Sequence, residues 1–275
     1  MPRFSLDSLT LTDTEPTELI EAAAQAGFGT ISLWVQPPAL YASAACTADK
    51  EAGCAERLQA TGIAVETLEV FDLHSFDALE AYRPALERGA RLGGKTALVL
   101  NYSNPDRRQS AELLGKFAEI AGEYGIGANL EPVAGGKTSS LRQARDLIVA
   151  SGADVGITLD PFHLIRAGGS IADIAEIPAG MIRYVQLCDG PLIASSDIAA
   201  SEAIAHRLYP GEGEFPLLDM LRAIPADATV GIECPSLSRV RAGKAPAEQA
   251  REALLAVESL YTQLEQAARE YGEPK

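Results

Sequence analysis

The sequence predicts an α/β fold, a single (β/α)8 barrel spanning residues 1–275 as one domain, and three observations carry that expectation. Short apolar runs alternate with longer stretches of helical spacing from one end of the chain to the other. Strands separated by helices pair in parallel, because each crossover returns the chain to the same end. Eight strand-like stretches, alternating with helix-like ones within 275 residues, favour a closed barrel over an open doubly wound sheet.

The strand-like runs are RFSLDSL, GTISLWV, AVETLEV, TALVLN, GANLEP, VGITLD, RYVQL and TVGIEC. Between them, TEPTELIEAAAQAGF reads as a helix, with Thr14 as N-cap, acids in its first turn and Gly27 at its end. FDALEAYRPALERGARLGG, RRQSAELLGKFAEIAGEYG, SLRQARDLIVASG and PAEQAREALLAVESLYTQLEQAARE follow the same grammar. SIADIAEIP and FPLLDMLRAIP read as shorter helices. No GxGxxG follows the first strand and no GxxxxGK[ST] occurs, so the phosphate cradles of nucleotide-binding folds are missing.

A net charge of −15 argues against general affinity for nucleic acid, whose phosphates need Lys and Arg. It leaves room for an anionic small molecule, since one arginine can bind a carboxylate. The four cysteines form no CxxC pair, and the N-terminus lacks a basic stretch followed by an apolar core; both point to a cytoplasmic protein. The uncharged stretch from Phe28 to Ala48 is broken by Gln36-Pro37-Pro38 and is no membrane span.

In such a barrel the chemistry sits where strands end and the following loops begin. The fifth to eighth strands end in NLEP with Glu131, TLDPFH with Asp160, VQLCD with Gln186 and IECP with Glu233. Period-two alternation puts each on the same face as the residue two before it, so inward-facing strands bring all four together. Three carboxylates converging without a cation would repel one another. A divalent ion removes that cost, and hard oxygen donors suit Mn2+ or Mg2+, with Co2+ also compatible. Asp160 has a structural alternative, since Asp-Pro is turn chemistry and an Asp there caps the next element of the chain. His163 is read as a helix cap or as a group meeting the substrate, and Arg207 as a loop charge or a pocket residue. Trp34 is read as core or as a pocket wall. Specificity is assigned to the loops after the first four strands, around Trp34, Glu69, Asn101 and Tyr102.

The order Glu131, Asp160 with His163, Gln186, then Glu233 resembles the xylose-isomerase-like barrel superfamily of sugar phosphate isomerases and epimerases. RLYPGEGEF is similar to that family's loop after the seventh strand, and FSLDSLTL to its first strand. The resemblance implies that Glu131 and Glu233 bind the metal and perform acid–base work, that Asp160 and Gln186 complete the ligands, and that His163 and Arg207 contact substrate. It implies one divalent ion, and a small sugar, polyol or hydroxy-keto acid as partner. The reaction expected is isomerisation or epimerisation of an α-hydroxy ketone through a metal-stabilised enediolate. Many epimerases of the group carry histidine where this chain has Gln186. Glutamine there resembles the dehydratases of 3-dehydroshikimate or inosose, which makes a lyase the alternative. A non-catalytic binding barrel is a more distant one. The sequence leaves the oligomeric state open, a homo-oligomer included.

Overall fold

The computed structural model describes residues 4–36, 39–178, 180–197 and 201–271. Eight parallel strands close into one barrel in sequential order. They are β1 (Phe4–Leu6), β2 (Thr30–Trp34), β3 (Ala64–Asp72), β4 (Thr96–Leu100), β5 (Gly127–Glu131), β6 (Val155–Leu159), β7 (Ile182–Leu187) and β8 (Thr229–Ile232). Closure is made by β1 on β8, where Ser5 lies opposite Gly231 and Leu6 opposite Ile232.

Leu6, Ile31, Leu33, Val65, Leu130, Ile157, Val185 and Ile232 are fully buried and belong to one continuous apolar core. The alternate positions, Ser5, Ser32, Thr67, Asn129, Thr158 and Tyr184, are polar yet equally buried. Side chains from this second set meet buried acids inside the barrel, as Ser32 does with Glu69 and Tyr184 with Asp7. The interior of this barrel is therefore polar, and its packed hydrophobic layer lies between strands and helices.

The helix Pro16–Ala26 ends at Gly27 in the left-handed region, as expected, but its N-cap is Glu15. Glu15 and Glu18 cap each other reciprocally, and Thr14 is one residue too early. The stretch FDALEAYRPALERGARLGG forms two helices, Phe76–Ala81 and Arg83–Arg91, rather than one. Pro84 has no N–H to continue the first helix and fits the first turn of the second. A helix at Glu51–Thr61 buries only Cys54 and Leu58, so its amphipathic signal in the sequence is weak. The last helix, Pro246–Tyr271, buries Ala250, Ala253, Val257 and Leu260 at helical spacing, and Tyr261 packs edge-on against Phe4 of β1. That contact ties the chain's end to its beginning.

Candidate active site

Five acidic or amide groups reach the C-terminal mouth of the barrel from its strands, four of them because the strand runs out at or beside that residue. Glu131 is the last residue of β5, and Asp160 follows β6. Gln186 is the next-to-last residue of β7, Glu233 follows β8, and Glu69 lies within β3. A cleft of about 320 Å3 opens between them, bordered by Glu69, Glu131, His163, Gln186, Arg207 and Glu233. Its other wall is Leu9, Val70, Leu98, Leu100 and Tyr102.

Asp160 fills the structural role read from the sequence and, with its other oxygen, binds an arginine. Its Oδ1 accepts from the Phe162 N–H at 2.7 Å and caps the short helix Pro161–Arg166. Its Oδ2 accepts from Arg207 Nη1 at 2.7 Å. The same Nη1 donates to Glu233 Oε2 at 2.9 Å, and Nε donates to the Ala203 carbonyl at 2.8 Å. Arg207 is 2 % exposed, and its guanidinium lies over the Phe162 ring. It is no solvated loop charge but a buried cation against two carboxylates. Nη2 has no protein partner among the described residues.

His163 lies on the helix that Asp160 caps. Its Nδ1 accepts from the Ala134 N–H at 3.3 Å, so the neutral ring carries its proton on Nε2. That nitrogen faces Glu131 Oε1 at 3.7 Å and Asp160 Oδ2 at 3.8 Å. Burial holds the imidazole neutral, down to about 4. Burial acts on the carboxylates in the opposite direction. Glu131 is raised well above the usual glutamate range, first by desolvation and then by Glu233 and Asp160. Glu233 is raised to about 7, again by burial, with Arg207 opposing.

Gln186 Nε2 donates to Glu233 Oε1 at 2.7 Å and to Glu69 Oε1 at 3.3 Å. Its Oε1 is buried without a partner. That orphaned acceptor tests whether the residues suit a divalent ion. An unpartnered amide oxygen and converging carboxylates meet the requirement for hard donors. Single donor atoms of Glu131, Asp160 and His163 lie within 4.8 Å of one another, as do those of Asp7, Glu69 and Glu233. The donor set fits.

Of the residues expected from sequence, Glu131, Gln186, Glu233, His163 and Arg207 border the cleft, and Asp160 is joined to them through Arg207 and His163. Trp34 does not border it. It is 2 % exposed and stacks on Tyr41 at 5.4 Å, packed on Ala44 and Ala45. Among the specificity positions, Glu69 and Tyr102 line the cleft. The Asn101 amide is instead buried against Ser110 and Thr138.

Three residues escaped the sequence reading. Asp7, after β1, is fully buried and accepts from the Tyr184 hydroxyl at 2.5 Å. Desolvation and Glu233 raise its carboxyl well above the aspartate range. Gly231 makes room for it, since a Cβ there would collide with both the Tyr184 hydroxyl and the Asp7 carboxylate. FSLD repeats the strand-end acid of the later strands, which is the signal that could have found it. Asp189, after β7, accepts from the N–H groups of Gly190, Gly211, Gly213 and Phe215. It thereby organises the PGEGEF loop that follows Arg207, and Gly213 packs too closely on it to carry a side chain.

A profile of the xylose isomerase-like TIM barrel family matches residues 20–260. The chain belongs to that family. The 3-dehydroshikimate dehydratase of Pseudomonas aeruginosa is 29 % identical over 82 % of this chain and 36 % of its own. The inosose isomerase of Bacillus velezensis is 27 % identical over 46 % of each chain. The chain thus spans about a third of the length of the dehydratase. Among solved structures, a xylose isomerase-like TIM barrel/4-hydroxyphenylpyruvate dioxygenase fusion protein superposes with TM-score 0.82 at 22 % identity, over 100 % of this chain and 45 % of that one. The IolI protein, with a bound zinc atom, superposes at 0.77 with 17 % identity over 96 % and 99 %. These two likenesses concern the fold.

Proposed function

We propose that this protein is a metal-dependent enzyme that removes the proton next to the carbonyl of a polyhydroxylated ketone. The observation that carries the reading is a pair of buried glutamates, Glu131 and Glu233, electrostatically coupled across one cleft with an unpartnered amide oxygen beside them. Glu131, Asp160, Gln186 and Glu233 would hold Mn2+ or Mg2+. When bound, such an ion polarises the ketone and offsets the charge that develops as the proton leaves.

The chain's own groups do the rest. Repulsion between Glu131 and Glu233 favours one proton shared by the pair, so one accepts the α-proton at a carboxylate oxygen while the other delivers one. His163, held neutral, offers its Nε2–H to a substrate oxygen beside Glu131. Arg207 keeps Asp160 and Glu233 in place through Nη1 and presents Nη2 as a further donor. The apolar wall excludes water from the opposite side of the substrate.

Loss of a β-hydroxyl after the first step, a dehydration, is the outcome favoured by Gln186 and by the likeness to two 3-dehydroshikimate dehydratases. The charge of the cleft favours a second reading, isomerisation or epimerisation of an uncharged ketose. Arg207 is the only Arg or Lys bordering it among the described residues, and two carboxylates already engage it. The test is to incubate Mn2+-loaded protein in D2O with 3-dehydroshikimate, an inosose and a ketohexose, following each by NMR and mass spectrometry. Loss of one water supports the lyase, and deuterium incorporation with a new isomer supports the isomerase. No α-proton exchange in any of them overturns the common first step.

A further inference from the structure

Gln186 poses a problem that histidine would not. The two ends of a carboxamide have nearly the same shape, so a glutamine donates to a cation only if its oxygen is made to face the cation. Its nitrogen here carries two hydrogens, and two carboxylates receive them: Glu233 Oε1 at 2.7 Å and Glu69 Oε1 at 3.3 Å. Turned over, the amide would set its oxygen against both carboxylate oxygens, in a place where all three residues are nearly inaccessible. Glu69 is itself anchored, its Oε2 accepting from the Ser32 hydroxyl at 2.9 Å. Ser32 in turn receives the Ser8 N–H at 2.8 Å. An imidazole at position 186 has one N–H to place, which Glu233 alone would satisfy, and its second nitrogen would be the donor.

We infer that Glu69 on β3 is a positioning residue that locks the Gln186 amide with its oxygen turned to the divalent ion, the partner this chain needs because it carries glutamine on β7. The inference rests on the metal-dependent reading above. Glu69 lies outside the Glu131, Asp160, Gln186 and Glu233 donor set and acts through Gln186.

Its test is a set of Mn2+ titrations of the full chain by calorimetry and by the EPR signal of free Mn2+, with no substrate present. Replacing a partner of a metal ligand costs about 10- to 100-fold in affinity, so Glu69→Gln should weaken Mn2+ by that factor. In a Gln186→His background the same Glu69→Gln change should cost less than about threefold, because the imidazole no longer needs it. Ser32→Ala, which frees the other Glu69 oxygen, should weaken Mn2+ by a smaller factor and carries the test should Glu69→Gln fail to fold. Wild-type affinity in both Glu69→Gln and Ser32→Ala overturns the inference. So does an equal loss in the glutamine and histidine backgrounds, which marks Glu69 as structural or as a ligand in its own right beside Asp7 and Glu233. A wild-type chain that binds no Mn2+ at all overturns the metal-dependent reading itself, a different result from either.

Discussion

The two halves of the barrel mouth are built on opposite principles. From β5 to β8, every strand delivers a polar side chain to the cleft or to the arginine beside it, and Arg207 ties the last carboxylates together. From β1 to β4, the cleft is faced by Leu9, Val70, Leu98, Leu100 and Tyr102, with Glu69 as the exception and Asp7 withdrawn from it. One half supplies charge whose burial is costly, and the other supplies shape. Substitutions in the charged half should therefore move activity and stability strongly, whereas those in the apolar half should mainly adjust substrate affinity.

The largest effect expected is on turnover. Glu131→Gln or Glu233→Gln should lower kcat by about 10^3-fold with the circular dichroism spectrum unchanged, as befits loss of an acid–base group. Near-normal turnover in both would end the assignment of proton transfer to this half. Next comes Arg207→Met, which leaves Asp160 and Glu233 buried without their counter-charge. Breaking such an arrangement costs about 3–5 kcal/mol, read as a lower urea midpoint, and Mn2+ should restore part of it. An unchanged midpoint would mean that the carboxylates are neutralised in some other way.

A third effect is on the pH dependence of the metal-free protein. Glu233 moves from the usual 4.5 to about 7, so the folded chain holds that proton more tightly than the unfolded one. Its stabilisation is complete below 4.5 and is lost as pH rises through 7, an amount of ~3 kcal/mol. His163 works in the other direction. Lowered from 6.5 to about 4, it stabilises above 6.5 and loses that contribution as pH falls. Thermal unfolding from pH 4 to 8 should show the alkaline loss flattened in Glu233→Gln, and a profile identical to wild type would contradict the environment described here. The smallest effect belongs to the shape-giving half. Tyr102 is 53 % exposed, so Tyr102→Ala should change stability by no more than about 0.5 kcal/mol while raising KM with kcat nearly constant. A fall in kcat equal to that of the glutamate variants would blur the division between the halves.

Much of this was legible in the sequence because barrel periodicity is local. Alternation within each strand places Glu131, Asp160, Gln186 and Glu233 at strand ends within a residue or two, and nothing distant is needed to read it. Asp160 shows the limit of such reading, since its cap is local chemistry that the sequence offers, whereas the arginine on its other oxygen is 47 residues away. Local pattern left Arg207 between a loop charge and a pocket residue, and Trp34 between core and pocket wall. A loop arginine becomes buried only because β6 and β8 bring two carboxylates to it. An aromatic at the end of β2 is covered because the segment after it folds Tyr41 back onto the ring.

By itself, then, the amino-acid sequence determined the parallel barrel, the strand ends and the chemical character of the groups placed there, because each depends on periods of two and 3.6 residues. Only the tertiary structure decided which of those groups meet. Asp7 reaches Tyr184, Glu69 reaches Gln186 and Arg207 reaches Glu233 across separations of 177, 117 and 26 residues, which no local pattern encodes. Closure of β1 onto β8 creates the shared interior in which these charges lose their water and must find one another.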